Sequence, residues 1–204
     1  MHQLKHLPSI GVPLVLASAT VTPSTLAGIE QNLLIQQTYV IREPIRNPRI
    51  HYGVQRIPSS CDDHYAYTMD YIRTRQQSAP LLRVIVYCMT KVDVQGFRHR
   101  FRKQVSIYTS DLDESSRTRE LDDFHGGRKS ILVGTSAIGA GYDFSDISLV
   151  IFLHGAWSFN DFIQGSGRMA RNPNSFGDCI TLVRPHGFSL SIRDAYLRTD
   201  TADV

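Results

Sequence analysis

Two arginines, Arg168 and Arg171, close the run Gln164-Gly165-Ser166-Gly167-Arg168-Met169-Ala170-Arg171. A guanidinium presents a planar fork of donors that matches a phosphate better than an ammonium does. A positioned one stabilises the charge that spreads over a γ-phosphoryl group in transfer. At a helix end, a spacing of three projects both side chains to one side. An isolated Gly-x-x-Arg reads as an exposed basic turn; Gln164 before it and a second polar run about thirty residues upstream set this one apart. That run is Val133-Gly134-Thr135-Ser136-Ala137-Ile138-Gly139-Ala140-Gly141-Tyr142-Asp143. Thr135 and Ser136, with backbone N–H groups at a strand end, can hold the phosphate of a nucleic-acid strand. Gly139 and Gly141 permit close approach, and the Asp143 carboxylate can accept from a ribose hydroxyl.

Such residues need strand ends and helix starts to hold them, and the chain supplies both. Ile50–Val54, Leu82–Cys88, Val105–Tyr108, Ile131–Val133, Leu149–Phe152 and Ile180–Val183 read as strands, most of them continuously apolar. Between them, helices are expected over His64–Gln77, over Lys91–Arg102, from Asp113 or Ser115 to Phe124, and from Ser158. Continuous apolar strands alternating with helices predict an α/β fold: a doubly wound, mostly parallel sheet covered on both faces. Functional residues then belong at the carboxyl ends of the strands. Ahead of this unit, Pro13–Ala17 and Val40–Ile41 read as strands flanking a helix that starts near Pro23. The expected division is residues 1–45 as the tail of a preceding lobe with its linker, 46–185 as the main lobe, and 186–204 as a C-terminal helix and tail.

The 204 residues suffice for one α/β domain, and 42% hydrophobic with 20% charged residues is ordinary for a globular chain. No run of about 18 apolar residues marks a membrane span, and the first residues lack the apolar core of a secretory signal, so no membrane partner and a cytosolic or nuclear compartment are expected. Cys61, Cys88 and Cys179 form no CxxC pair and no zinc-ligand pattern, so no metal ligands are assigned. A net charge of +3 is too small to argue for nucleic acid by itself.

The arginine run resembles motif VI, and the glycine–aspartate run motif V, of superfamily 2 helicases. Arg46-Asn47-Pro48-Arg49-Ile50, Val84–Lys91 (motif IV) and Tyr108-Thr109-Ser110-Asp111-Leu112 with Arg117 are similar to the second RecA-like domain of RecQ-type DNA helicases, and Ser18-Ala19-Thr20 resembles motif III. The variant motifs are also similar to fungal, telomere-linked RecQ helicases. The resemblance implies the C-terminal motor lobe of an ATP-dependent 3′-to-5′ DNA helicase, located in the nucleus (the cytoplasm in a prokaryote). Its partners would be single-stranded and duplex DNA, ATP with Mg2+, and an N-terminal RecA-like lobe that holds most of the nucleotide. By the same resemblance Arg171 is the arginine finger, Arg168 a second γ-phosphate contact, and Gln164 a coupler of nucleotide state to DNA. Gly141 and Asp143 approach the ribose, Thr135, Ser136 and Lys91 the DNA backbone, and Ser18 and Thr20 link hydrolysis to strand movement.

The chain also departs from that pattern. Gly165 replaces an acid, Met169-Ala170-Arg171-Asn172 replaces Ala-Gly-Arg-Asp, and Thr109 replaces a histidine. No GxxxxGK[ST] run occurs; Gly126-Gly127-Arg128-Lys129-Ser130 mimics its tail but precedes a strand, where a phosphate loop must follow one. Asp113-Glu114-Ser115-Ser116 mimics an acidic box at a helix start, where a cap explains it. The expectation is therefore a chain that begins inside the first lobe and is inactive alone. The alternatives are a degenerate nucleic-acid-binding module without ATPase activity, and an RNA-directed superfamily 2 motor.

Overall fold

Strands that are apolar on both faces can be stable only between two layers of helices. The computed structural model describes residues 13–18, 21–35, 38–42, 47–139, 144, 146–172 and 174–184, and within them this requirement is met. The strands are β1 (Ile50–Arg56), β2 (Arg83–Cys88), β3 (Val105–Tyr108), β4 (Ile131–Gly134), β5 (Ile147–Leu153) and β6 (Gly177–Val183). They form one six-stranded sheet in the order β1-β6-β5-β2-β4-β3, with every pair parallel.

Alternation along the strands sends two sets of side chains to opposite faces. Val84, Val86, Val133, Ile151 and Leu182 share one core with Met69 and Ile72 of α2 (His64–Ser78) and Val94 and Phe97 of α3 (Lys91–Phe101). Ile85, Tyr87, Leu132, Val150 and Phe152 share the other with Leu121 and Phe124 of α4 (Glu114–His125) and with Phe162 of α5 (Phe159–Ser166). The doubly wound α/β fold read from the sequence is the fold observed.

Each helix of the sheet unit starts where a short polar side chain satisfies its free N–H groups. Asp63, Thr90, Asp113 and Ser158 accept from the first-turn amides of α2, α3, α4 and α5. Asp113 is thus a cap, receiving the Ser116 amide at 2.8 Å, and not part of an acidic box. Gly126 ends α4, and Gly127 at φ 73° turns the chain toward β4, so Gly126–Ser130 makes no phosphate loop.

The amino-terminal reading needs correction. α1 (Pro23–Leu33) forms, capped by Thr22. Pro13–Ala17 and Val40–Ile41 form no strand, and Val15 and Ile41 are largely exposed. β-propensity expresses packing on a sheet more than backbone preference, and among the described residues no strand pairs with either run. The expected helix at 186–204 lies outside the described residues.

Candidate nucleotide and nucleic-acid face

From β2 the chain runs outward to β3 through α3, whereas from β5 it runs the opposite way to β6 through α5. Adjacent strands whose connections diverge leave a crevice at their carboxyl ends, where α/β proteins bind ligands. Here it is narrow, about 30 Å³, and is lined by the end of β2 (Tyr87–Met89), the loop after β5 (Gly155–Trp157), Ser136 and Gln164. Two of the residues expected from sequence, Ser136 and Gln164, are thereby brought together. Thr135 directly follows β4, and its Oγ1 accepts the Ala137 amide at the start of a 3-10 turn, Ser136–Gly139.

The floor of the crevice is aromatic. Tyr87 and Phe152 stack with centroids 5.1 Å apart, and Phe162 packs on Phe152 at 5.1 Å. This floor accounts for the departure at Gly165. A Cβ there would stand 2.8 Å from Phe152 Cζ and 3.0 Å from Tyr87 Cε2, so an acidic side chain does not fit.

Arg168 and Arg171 are not disposed as a continuing helix would place them. α5 ends at Ser166, and a tight turn follows, with the Arg168 amide donating to the Gly165 carbonyl at 3.3 Å and Met169 to Ser166 at 3.1 Å. Ala170 then takes a left-handed φ of 52°. Arg168 is buried, 7% exposed, with its guanidinium 5.9 Å from the Phe144 ring centroid, whereas Arg171 is exposed. Both charges still act on one group: burial pushes the Tyr87 hydroxyl up to about 12, against the pull of Arg168 and Arg171.

Sequence reasoning missed the residue that holds this corner. Arg49, at the entry to the main lobe, donates from Nη2 to the Ala170 carbonyl at 3.0 Å, and its own carbonyl accepts the Gly177 amide at 3.1 Å. No spacing rule links positions so far apart. Trp157, 58% exposed at the lip of the crevice, was also missed; a single tryptophan in the loop after an apolar strand was the available signal.

The remaining candidates lie apart. Lys91 opens α3 and pairs with Asp111 on the exposed surface. Ser18 is exposed in a segment without helix or strand. Thr20, Gly141 and Asp143 lie outside the described residues.

A family model described as "Helicase conserved C-terminal domain" matches residues 64–173, more than half of the chain. The chain belongs to this family. It is a C-terminal lobe of the superfamily 2 helicase type. The ATP-dependent DNA helicase Q1 of Rattus norvegicus is 24% identical over 172 residues, covering 83% of this chain and 27% of the relative. The ATP-dependent RNA helicase DBP2 of Encephalitozoon cuniculi is 33% identical over 98 residues, 47% of this chain and 20% of the relative. The chain thus spans about a quarter of the length of these relatives. Among solved structures, S. cerevisiae Dbp5 bound to RNA and ADP BeF3 superposes with a TM-score of 0.66 at 20% identity, covering 92% of this chain and 48% of that one. The chain therefore shares its fold with that structure and is similar in sequence to helicases named for DNA and for RNA.

Proposed function

We propose that this lobe is the second half of an ATP-driven DNA-unwinding motor with RecQ-like, 3′-to-5′ action in the nucleus. The observation that carries the reading is the joining of Ser136 and Gln164 in one crevice at the carboxyl ends of β2 and β5, with the exposed Arg171 following the helix that bears Gln164. DNA is favoured over RNA because the likeness to the DNA helicase runs through 83% of the chain, against 47% to 69% for RNA helicases of the DBP2 and dbp3 kind.

The described residues fit one side of an ATP site and not the other. Arg171 offers an exposed guanidinium for a γ-phosphate. The cradle is absent among the described residues, since the glycine pair at Gly126 closes a helix. Mg-ATP, when held by an N-terminal lobe, would supply the phosphoryl group. Arg171 would neutralise charge from the facing side, while Arg168, anchored among aromatic rings, would fix the turn that presents it. Gln164 shares α5 with that turn and the crevice with Ser136, so a shift at Arg171 would be felt at the nucleic-acid contact. Gly141 and Asp143 retain their proposed ribose role, and Ser18 and Thr20 their coupling role.

The test is a titration of the chain with single-stranded DNA and RNA of one sequence at several salt concentrations, followed by unwinding of equally stable DNA and RNA duplexes with an ATP-binding lobe supplied. The reading predicts salt-sensitive binding and ATP-dependent unwinding of the DNA duplex. A marked preference for the RNA duplex would favour the RNA-directed alternative, to which the higher local identity of DBP2 points. Binding without ATP dependence in the two-lobed protein would leave a degenerate binding module.

A further inference from the structure

On the opposite face of the sheet, the same carboxyl ends carry a cluster that the motor reading does not use. His64 begins α2, Asp93 lies in the first turn of α3, and His154 directly follows β5. One potential ligand atom from each lies within 4.8 Å of the others. The rings of His64 and His154 stand 5.0 Å apart between centroids.

We propose that His64, Asp93 and His154 form a divalent transition-metal site of the zinc class, with two imidazole nitrogens, one carboxylate oxygen and a fourth position open to water. Imidazole with a carboxylate suits zinc and its neighbours better than calcium or magnesium, which take oxygen ligands. Tetrahedral zinc holds its ligand atoms about 3.4 Å apart. The span of 4.8 Å must therefore contract by roughly 1.4 Å, which side-chain rotations can supply.

Three independent features point the same way. First, His64 Nε2 and His154 Nδ1 are buried and make no hydrogen bond within the described residues. Asp93 Oδ1 stands 3.6 Å from His64 Nε2, beyond hydrogen-bond reach. Buried polar atoms without partners are rare and call for a ligand, a water or an ion. Second, His154 holds a left-handed φ of 67°, uncommon for any residue but glycine. Its amide donates to the Leu182 carbonyl at 2.7 Å, which fixes the backbone that aims the ring. Strain of this kind concentrates where a side chain must be held in place.

Third, Asp93 is already oriented as a ligand is by its outer partners. The Tyr65 hydroxyl donates to Oδ1 at 3.2 Å and Thr90 Oγ1 to Oδ2 at 2.6 Å. Arg184 touches His64 Nδ1 and also donates to the Asp62 carbonyl at 3.2 Å. With a metal on Nε2, Nδ1 carries the proton and Arg184 keeps the Asp62 carbonyl alone.

The experiment uses the full chain, freed of metal by a chelator and titrated calorimetrically with Zn2+, then with Co2+ while the visible spectrum is recorded. The informative variants are His154→Gly, whose backbone accepts the left-handed conformation freely, and Asp93→Asn. The expected result is one saturable Zn2+ per chain, a rise in Tm on its addition, and tetrahedral-type Co2+ absorption. His154→Gly and Asp93→Asn should each weaken binding by more than about 100-fold, and Tyr65→Phe by about tenfold. His154→Gly should also fold with unchanged far-UV circular dichroism and lose the Zn2+-induced rise in Tm. Absence of saturable binding, or stoichiometric binding undiminished in His154→Gly, overturns the assignment. The cluster would then be a polar corner in which Arg184 simply holds His64.

Discussion

The two faces of the sheet are finished differently at the carboxyl ends of its strands. Toward α4 and α5 the chain builds a crevice floored by Tyr87 and Phe152 and bordered by Gln164, with the arginine turn following. Toward α2 and α3 it sets His64, Asp93 and His154 around one point. The first face rests on large aromatic surfaces that hold a turn rigid, and the second on small polar groups whose partners are incomplete. The contrast teaches that one rigid sheet can carry two chemistries, because each strand end delivers neighbouring residues to opposite sides.

Several substitutions probe how independent the two faces are. The largest stability losses are expected from Phe152→Ala and Phe97→Ala, one from each core and both nearly inaccessible. Each should lower unfolding free energy by about 3–5 kcal/mol in urea titrations, and if the faces are independent the double variant should be additive. Arg168→Ala should lower stability by roughly 1–3 kcal/mol, because a buried side chain is removed from its aromatic surroundings, whereas Arg171→Ala should stay within about 0.5 kcal/mol. Equal effects of the two would erase the distinction drawn between them. Gly165→Ala should cost roughly 1–3 kcal/mol by overpacking against Phe152 and Tyr87.

Smaller effects follow from protonation. Burial raises the Tyr87 hydroxyl to about 12, above the ordinary tyrosine range, so the fold favours its neutral form. That contribution is complete below pH 10, the ordinary range of the group, and is lost as pH climbs toward about 12. Tyr87→Phe should flatten the alkaline limb of stability measured against pH; an unchanged limb would place the titration elsewhere. Burial likewise raises the thiols of Cys88 and Cys179, the latter to about 12. Only thiolates react readily, so alkylation of the native chain should label the half-buried Cys61 well before the other two. Mass-spectrometric mapping of the label checks this.

The layered sheet was legible in the sequence because both cores lie on continuous apolar runs. The caps at Asp63, Thr90 and Ser158 sit at the breaks between those runs, with short side chains that announce a helix start. Pro13–Ala17 misled because the same apolar pattern becomes a strand only beside a partner. Contiguous motifs delivered Ser136 and Gln164 in the crevice and Arg171 on the turn after it, but not the opposite exposures of Arg168 and Arg171. The end of α5 and the left-handed Ala170, tied to Arg49 from far upstream, set those. The histidine–aspartate cluster was illegible for the same reason, as its members come from three elements that only the sheet topology brings together.

The account rests on Arg171 acting on a nucleotide held by another lobe while Arg168 serves as its support. The most direct measurement is DNA-stimulated ATP hydrolysis by this chain joined to an ATP-binding first lobe, with and without Arg171→Ala. The account predicts a fall of about a thousandfold or more with Tm unchanged. Hydrolysis retained in the Arg171→Ala protein would contradict it.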